Sequence, residues 1–390
     1  MSNLYHNERI WYINAFVSGL YFLLPVRFFF FTQELWFSVE FAAVVSVIDL
    51  WVMTLLEIPT WTRADKYWRK RMFILWNILM TLGLFPYVLT TNPVVIIAWV
   101  VLTWGWMALQ SWTFDPMVFE EFKANNDEAS YKRYTRRDHV ILFGSRMIGC
   151  VVWAYLYTIN PLYAYYWAIC TFWISVLLWC LVKELPYEKE LTRTSLREYT
   201  IDWRNHLTGS SILRTLLTVF IGTYIAWNMM RTLYQYFFDQ LWTSILLIWV
   251  IYAWLNLFSM LWSKTTKYFY TWVQSLPTIY HIMFILVAVG LAIIGFVPWL
   301  WIIAWVVCFQ MYFWMYNPVV FDVVQQQIPT THRSTSMSIL SCMDSLAATI
   351  ASSLAWVLVV WLWQSWLSVV LLVLVGGIYL RTHKHNSAKD

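Results

Sequence analysis

Glu57 to Lys70 reads EIPTWTRADKYWRK. An apolar run long enough to cross a bilayer precedes it and another follows, so the segment is the turn between two membrane spans. Arg63, Asp65, Lys66, Arg69 and Lys70, with Arg71 just beyond, concentrate charge here in a chain that is only 12% charged. A charged knot between two such runs makes the flanking helices membrane helices, and the same alternation continues outward to both ends.

Of the 390 residues, 61% are hydrophobic, which excludes an ordinary soluble protein. The apolar runs are continuous rather than alternating, so a β-barrel is excluded as well. The net charge of +5 does not mean nucleic acid. Nearly all Lys and Arg fall in alternate inter-span loops, the pattern of positive cytoplasmic loops. Cys150, Cys170, Cys180, Cys308 and Cys342 lie in apolar runs without CxxC or Cys/His spacing and read as small packing residues, not a metal site or disulfide framework. No Walker loop, catalytic triad or HExxH occurs, so neither ATP-driven transport nor enzymatic activity is expected, and no cofactor or metal. The first apolar run is long and lacks a small-residue cleavage site, so it is expected to be a span and not a signal peptide.

Six spans are expected first, at about 10–32, 39–60, 72–90, 94–119 and 139–158, with the sixth following the Asn160-Pro161 turn and running to about 182. Asn92-Pro93 and Asn160-Pro161 mark tight outer turns, and a polar segment runs over about 120–138. A long hydrophilic stretch at about 183–211 divides the chain. Six more spans follow at about 212–237, 243–262, 278–297, 299–321, 335–358 and 362–380. No Lys or Arg falls in a loop assigned to the outside, which places both termini in the cytoplasm. The expected domains are 1–182, an N-terminal six-helix bundle; 183–211, a cytoplasmic central loop; and 212–390, a C-terminal six-helix bundle with a short tail. The halves echo one another: Leu35-Trp36-Phe37-Ser38 after span one matches Leu241-Trp242-Thr243-Ser244 after span seven, and Arg27 and Arg231 sit at nearly equal depth.

Three stretches carry a family resemblance. EIPTWTRADKYWRK has the spacing of the loop between spans two and three of the major facilitator superfamily, G-x-x-x-D-x-x-G-R-R/K, with Trp61 and Trp68 at the glycines, Asp65 at the acid, and Arg69 and Lys70 closing the pattern. QSWTFDPMVFEEF at 110–122 is similar to the pattern S-G-T-x-D/E-A-L-x-Y-D that ends span four in one bacterial branch. DVVQQQIPTTHRSTSMS at 322–338, with Pro329 and Arg333, resembles the inner loop before span eleven. The resemblance implies an all-α polytopic membrane protein of major facilitator fold, twelve transmembrane helices in two pseudo-symmetric six-helix bundles. It further implies a monomeric secondary transporter in the cytoplasmic membrane, moving a small molecule by alternating access with proton coupling. Span five has Gly144 and Gly149 without the proline of drug/proton antiporters, and span four lacks their Arg. Efflux of amphipathic drugs is the alternative within the class; a non-transporting scaffold or sensor is the alternative outside it.

Trp61, Trp68 and Trp112 stand where the family has glycine, and the chain holds 29 Trp against 11 Gly, the reverse of ordinary usage. An indole strains a tight turn or a close helix crossing. Many of these tryptophans are therefore expected to be glycines in the organism, encoded by UGA; a genuinely Trp-rich, divergent carrier is the alternative.

Ionisable groups inside spans are costly and mark function. Arg27 and Arg231 are candidates for binding an anionic group, or else pair with a neighbouring acid or snorkel to the outer interface. Asp49 is either a proton-coupling carboxylate or the partner of Arg27 across the adjacent helix, and Asp344 offers the same two readings. Asp115 and Arg146 read as a structural ion pair. Trp61, Asp65, Trp68, Arg69 and Lys70 form the gating loop. His281 reads as a packed or interfacial residue. The partners expected are the lipid bilayer, protons and a small molecule the sequence does not identify.

Overall fold

The computed structural model describes residues 2–21, 27–64, 69–110, 114–183, 225–226, 228–229, 244–272, 276–296, 308, 311, 345–356 and 376. No strand occurs among them. The chain divides into two compact units, Met1–Pro186 with Phe237–Tyr268, and Tyr187–Tyr236 with Phe269–Asp390.

In the first unit the helices are α1 (Ser2–Leu20), α2 (Val39–Ala64), α3 (Arg69–Leu89), α4 (Pro93–Gln110), α5 (Phe114–Ala124), α6 (Glu128–Ile159), α7 (Pro161–Leu181) and α8 (Ile245–Trp272), the last running just past its boundary. In the second, α9 spans Leu276–Phe296, and residues 345–356 are helical. Among the described residues, Val39–Leu56, Arg133–Ile159 and Pro161–Leu181 are long and apolar enough to cross a membrane, and shorter apolar helices include Phe73–Leu89 and Leu246–Trp262.

One expected span differs in outline. Span one is not a single α-helix: α1 ends at Leu20, Tyr21 is not helical, and the helical turn Arg27–Phe29 runs into a π-helix, Phe30–Glu34. Apolarity runs straight through this interruption, so hydropathy does not register it. A helix that ends inside a bundle leaves carbonyls without partners. Here the Leu20 carbonyl accepts the indole N–H of Trp153 at 3.1 Å and of Trp167 at 3.4 Å. Within span four the described residues, Pro93–Gln110 and Phe114–Ala124, are helical. The polar segment beyond it is largely helical from Glu128, because Tyr131 and Tyr134 turn one face onto Phe122, with ring centroids 6.1 and 5.6 Å apart.

Both expected outer turns are caps. The Asn92 and Asn160 side chains accept the backbone N–H of Val94 and Leu162, at 3.0 and 2.9 Å, and a proline occupies the first helical position after each. Proline has no N–H to leave unpaired there, and asparagine satisfies the next one.

Close crossing of α1 and α6 depends on two glycines. A Cβ at Gly149 would lie 3.0 Å from the Gly19 carbonyl and 3.1 Å from that of Leu20, and one at Gly19 would collide with Ser145 Oγ. Small residues let backbones approach in this way inside membranes. The opposite case is Trp36, which follows the π-helix at φ 57° and is 86% exposed. That left-handed position closes a helix C-terminus and ordinarily belongs to glycine.

At the end of the unit that carries the N-terminus, Trp11, Phe73, Phe122, Tyr134 and Trp179 form a buried aromatic base. Phe73 and Trp179 stack with centroids 4.3 Å apart, and Phe114 meets both edge-on. Offset and edge-on aromatic pairs add about 0.5–1.5 kcal/mol each beyond the area they bury.

Candidate functional site

Arg27 opens the helical turn that follows the break after α1, and Asp49 lies well inside α2. Their side chains form an ion pair, Arg27 Nη2 to Asp49 Oδ2. The pair is secluded: the Arg27 side chain is 13% exposed and that of Asp49 is 3%. A lone charge at this depth is prohibitively unfavourable, so each makes the other tolerable. Of the two readings the sequence leaves for Asp49, the geometry realises the partnership with Arg27; the coupling reading is compatible with it.

A wall of aromatic residues encloses the pair. Tyr87 from α3 and Tyr165 from α7 lie near the guanidinium. Their rings lie 5.6 Å apart, and Tyr165 also meets Phe30 at 4.4 Å. Tyr21, at the end of α1, packs on Phe172 at 4.3 Å. Toward the face opposite the N-terminus, a cavity of about 550 Å³ opens between the π-helix, the end of α3 and the start of α7, lined by Phe30, Glu34, Tyr87, Thr90 and Asn160 among others. Glu34 accepts a hydrogen bond from the Tyr157 hydroxyl at 3.3 Å.

A second buried carboxylate sits at the other end of the unit. Glu121, in α5 past the end of span four, is 4% exposed, and Asn7 is fully buried. Asn7 Nδ2 donates to Glu121 Oε1 at 2.7 Å and to the Lys183 carbonyl at 2.5 Å, while its Oδ1 accepts from the Lys183 N–H at 2.8 Å. Burial pushes the Glu121 carboxyl up to about 7, and the hydrogen bond from Asn7 offsets this only in part. His6 Nε2 lies 3.3 Å from the Leu181 carbonyl and Lys70 Nζ donates to that of Cys180 at 2.9 Å, so the C-terminus of α7 is capped from α1 and α3 together.

The remaining expected residues are distributed as follows. Trp61 falls in the last turns of α2 and Arg69 begins α3. Asp115 belongs to α5, and Arg146 lies in α6 with its guanidinium carbon 5.5 Å from the centre of the Phe143 ring. The Asp115 side chain, Asp65, Trp68, Trp112, Arg231, Pro329, Arg333 and Asp344 lie outside the described residues. His281 is half-buried in α9. The sequence did not single out Glu34, Tyr87, Tyr157, Tyr165, Asn7 or Glu121. The doubled Glu120-Glu121 directly after an apolar run was the available signal for the last.

Comparison with known proteins places this architecture. No family model matches the sequence, and no curated protein matches it. Solved structures do. A POT family transporter in complex with 5-aminolevulinic acid aligns at 13% identity over 98% of this chain and 96% of that one, with a TM-score of 0.77. The POT family transporter PepTSo aligns at 9% identity, over 98% and 97%, with a TM-score of 0.74. The nucleoside transporter NupG aligns at 13%, over 99% of both chains, with a TM-score of 0.69. The chain is an all-α, multi-pass membrane protein with the major facilitator fold, the architecture these transporters share.

Proposed function

We propose that the chain is a proton-coupled secondary transporter that carries a small molecule across the cytoplasmic membrane by alternating access. It acts as a monomer, is not an enzyme, and has both termini in the cytoplasm. Its working parts are an N-terminal bundle over 1–182, a central loop over 183–211 and a C-terminal bundle over 212–390. The observation that carries the reading is the buried Arg27–Asp49 pair inside a transporter fold. Protonation of Asp49 removes its charge and frees the Arg27 guanidinium; deprotonation restores the pair. A cation released in this way is suited to an anionic group on the cargo, and Arg231 at matching depth in span seven supplies a second. Asp344 is the candidate partner in the second half. Asp65, Arg69 and Lys70 close the inward side between spans two and three, and Pro329 and Arg333 occupy the corresponding loop before span eleven.

The test is transport in proteoliposomes under an imposed pH gradient, with small carboxylic acids and cationic dyes as probes. Accumulation of an acid that follows the gradient, abolished in Asp49→Asn while counterflow exchange persists, is the expected result. Equal accumulation with and without the gradient overturns proton coupling, and accumulation of dyes alone turns the reading to drug efflux. No flux of any probe favours a scaffold or sensor.

The same reading takes Trp61, Trp68 and Trp112 as glycines in the organism. Trp36 supports it independently, since its left-handed backbone costs about 1–2 kcal/mol with a bulky side chain and little with glycine. Mass spectrometry of the native protein decides it: glycine at these positions is expected, and UGG codons at 61, 68 and 112 refute it.

A further inference from the structure

α6 is longer than the membrane it crosses. Its 32 residues, Glu128–Ile159, extend about 48 Å at about 1.5 Å each, against a hydrocarbon core of roughly 30 Å. The Asn160-Pro161 cap closes its far end, and α7, which turns back there, matches the core with 21 residues, Pro161–Leu181. Glu128–Asp138 is therefore surplus, on the side that carries the N-terminus. We propose that this surplus segment, through Arg133, Arg136 and Arg137, binds the phosphate headgroups of anionic phospholipids in the adjoining leaflet. The inference needs only the membrane fold and is independent of the transport reading.

One face of the segment is packed on the rest of the unit. Tyr131 meets Phe119 and Phe122 edge-on, with ring centroids 5.1 and 6.1 Å apart, and Tyr134 meets Trp11 and Tyr12 at 5.7 and 5.1 Å. Two nearby acids are held by these tyrosines. Asp138 accepts from the Tyr134 hydroxyl at 3.1 Å, and Glu8 from that of Tyr12 at 3.0 Å. At about 100° per residue, Arg133 and Arg136 are turned about 130° and 170° from the two rings of the segment, and Arg137 about 90°. All three arginines are exposed. Arg133 donates to Ser130 Oγ at 2.7 Å and Arg137 lies beside the Tyr12 hydroxyl, so most of the five N–H donors of each guanidinium are left for another acceptor. Among the described residues none of the three is paired with a carboxylate.

The register of the helix says what these arginines face. Ile148, Val151, Tyr155 and Ile159 are exposed and form the lipid-facing stripe of α6. Steps of three and four residues carry the stripe back to Arg137 and Arg133, and all six positions fall within an arc of about 80°. Along the axis Arg137 and Arg133 lie about 33 and 39 Å from Ile159. That is past the hydrocarbon and at the depth of the headgroups, which bring the bilayer to about 40–45 Å. Membrane topology asks only that a loop be positive, and a free loop satisfies it. Here the charge is held on a packed helix, in line with the acyl chains the same helix faces. A guanidinium matches a phosphate with two parallel N–H···O bonds, and basic groups just past the end of a membrane helix attract anionic headgroups.

The test is photolabelling of the full chain in vesicles of mixed phosphatidylglycerol and phosphatidylcholine, in phosphate-free buffer. One lipid or the other carries a photoactivatable headgroup, and labelled peptides are located by mass spectrometry. Phosphatidylglycerol is expected to label residues 131–139 in excess of phosphatidylcholine. The triple variant Arg133→Gln, Arg136→Gln, Arg137→Gln is expected to lower that label by at least about fivefold, roughly the worth of one arginine at an anionic surface, and to leave the phosphatidylcholine label unchanged. The corresponding triple Arg→Lys variant keeps the charge, and with it the insertion of the helix, and should retain most of the label. About 1 M salt, where the Debye length is about 3 Å, should reduce the wild-type label. Arg9→Gln, at an exposed basic position of α1 on the same side, should not. The proposal is overturned if both lipids label α6 alike, or if the glutamine variant keeps the label. It is overturned as well if the lysine variant loses as much as the glutamine variant, or if Arg9→Gln loses as much as either.

Discussion

Asp49 and Glu121 are both carboxylates buried in the same helical unit, and they are buried in different ways. Asp49 faces a guanidinium. Among the described residues, Glu121 is hydrogen-bonded by the amide of Asn7. A cation compensates a buried negative charge; an amide donates one hydrogen bond and compensates little of it. The first carboxylate therefore has its charge compensated by Arg27. The second is pushed up to about 7, because burial removes its water and the hydrogen bond from Asn7 offsets this only in part. Burial alone does not decide whether a membrane carboxylate is charged; the partner does.

The largest effect should come from separating the pair. Arg27→Met leaves Asp49 buried without its counter-charge, a change worth roughly 3–5 kcal/mol. Thermal melting of the detergent-solubilised protein should drop accordingly, and the double variant Arg27→Met with Asp49→Leu should recover most of the loss, because an apolar pair of similar volume carries no charge to bury. Full stability in Arg27→Met alone would mean that the guanidinium is not what keeps Asp49 tolerable, and the contrast with Glu121 would dissolve.

Next is the geometry that presents Arg27. Gly149→Leu pushes a branched side chain against the Gly19 and Leu20 carbonyls, which a Cβ already meets at 3.0 and 3.1 Å. Overpacking of this kind costs about 1–3 kcal/mol. It falls where α1 ends, so it should disturb the Asp49 end of the unit and leave the Glu121–Asn7 contact unchanged. Equal disturbance at both ends, read by hydrogen exchange, would show that α1 moves as a rigid rod and that its break is not independent.

What could be read in the sequence follows the same division. Arg27 and Asp49 stood out because charges inside apolar runs are rare, and their pairing was one of two readings that depth alone supports. The Asn-Pro turns were legible because their chemistry is local: Asn92 and Asn160 bond two residues ahead. The break after Leu20 was not, since hydropathy averages over an interruption whose carbonyl is satisfied by Trp153, 133 positions away in sequence. Glu121 was missed for a related reason. In EEFKANND it reads as a solvated charge, while in the fold it is buried and bonded by Asn7, 114 positions distant. The Asp65 knot, which decides the fold class on paper, depends on residues beyond those described.

A smaller effect, and one of opposite sign to the first, belongs to Glu121. Its folded value of about 7 lies above the ordinary 4.5, so it contributes stability that is full below 4.5 and lost as pH rises through 7. Wild type should therefore lose stability between about pH 5 and about pH 8. Glu121→Gln, which keeps an acceptor for Asn7 and never ionises, should be flat over that range and more stable than wild type at its upper end. A parallel decline in both proteins would place the titration elsewhere and leave Glu121 charged, like Asp49.

The smallest effect tests whether the two ends are independent. Trp153→Phe keeps an apolar ring in a fully buried position and removes one hydrogen bond, the indole N–H to Leu20 carbonyl. Trp167 continues to reach the same carbonyl at 3.4 Å, so the loss should be about 1 kcal/mol, the ordinary net worth of one such bond. Because Leu20 ends α1 seven residues before Arg27, the variant should loosen the pair: hydrogen exchange at Phe29 and Phe30 should quicken, and the decline of stability between about pH 5 and 8 should stay as in wild type. The pH decline is set at the other end of α1, beside Asn7, where no contact of Trp153 reaches. A change in that decline would mean that the cap on Leu20 also positions Asn7, and the two carboxylates would then report on one structural element and not two.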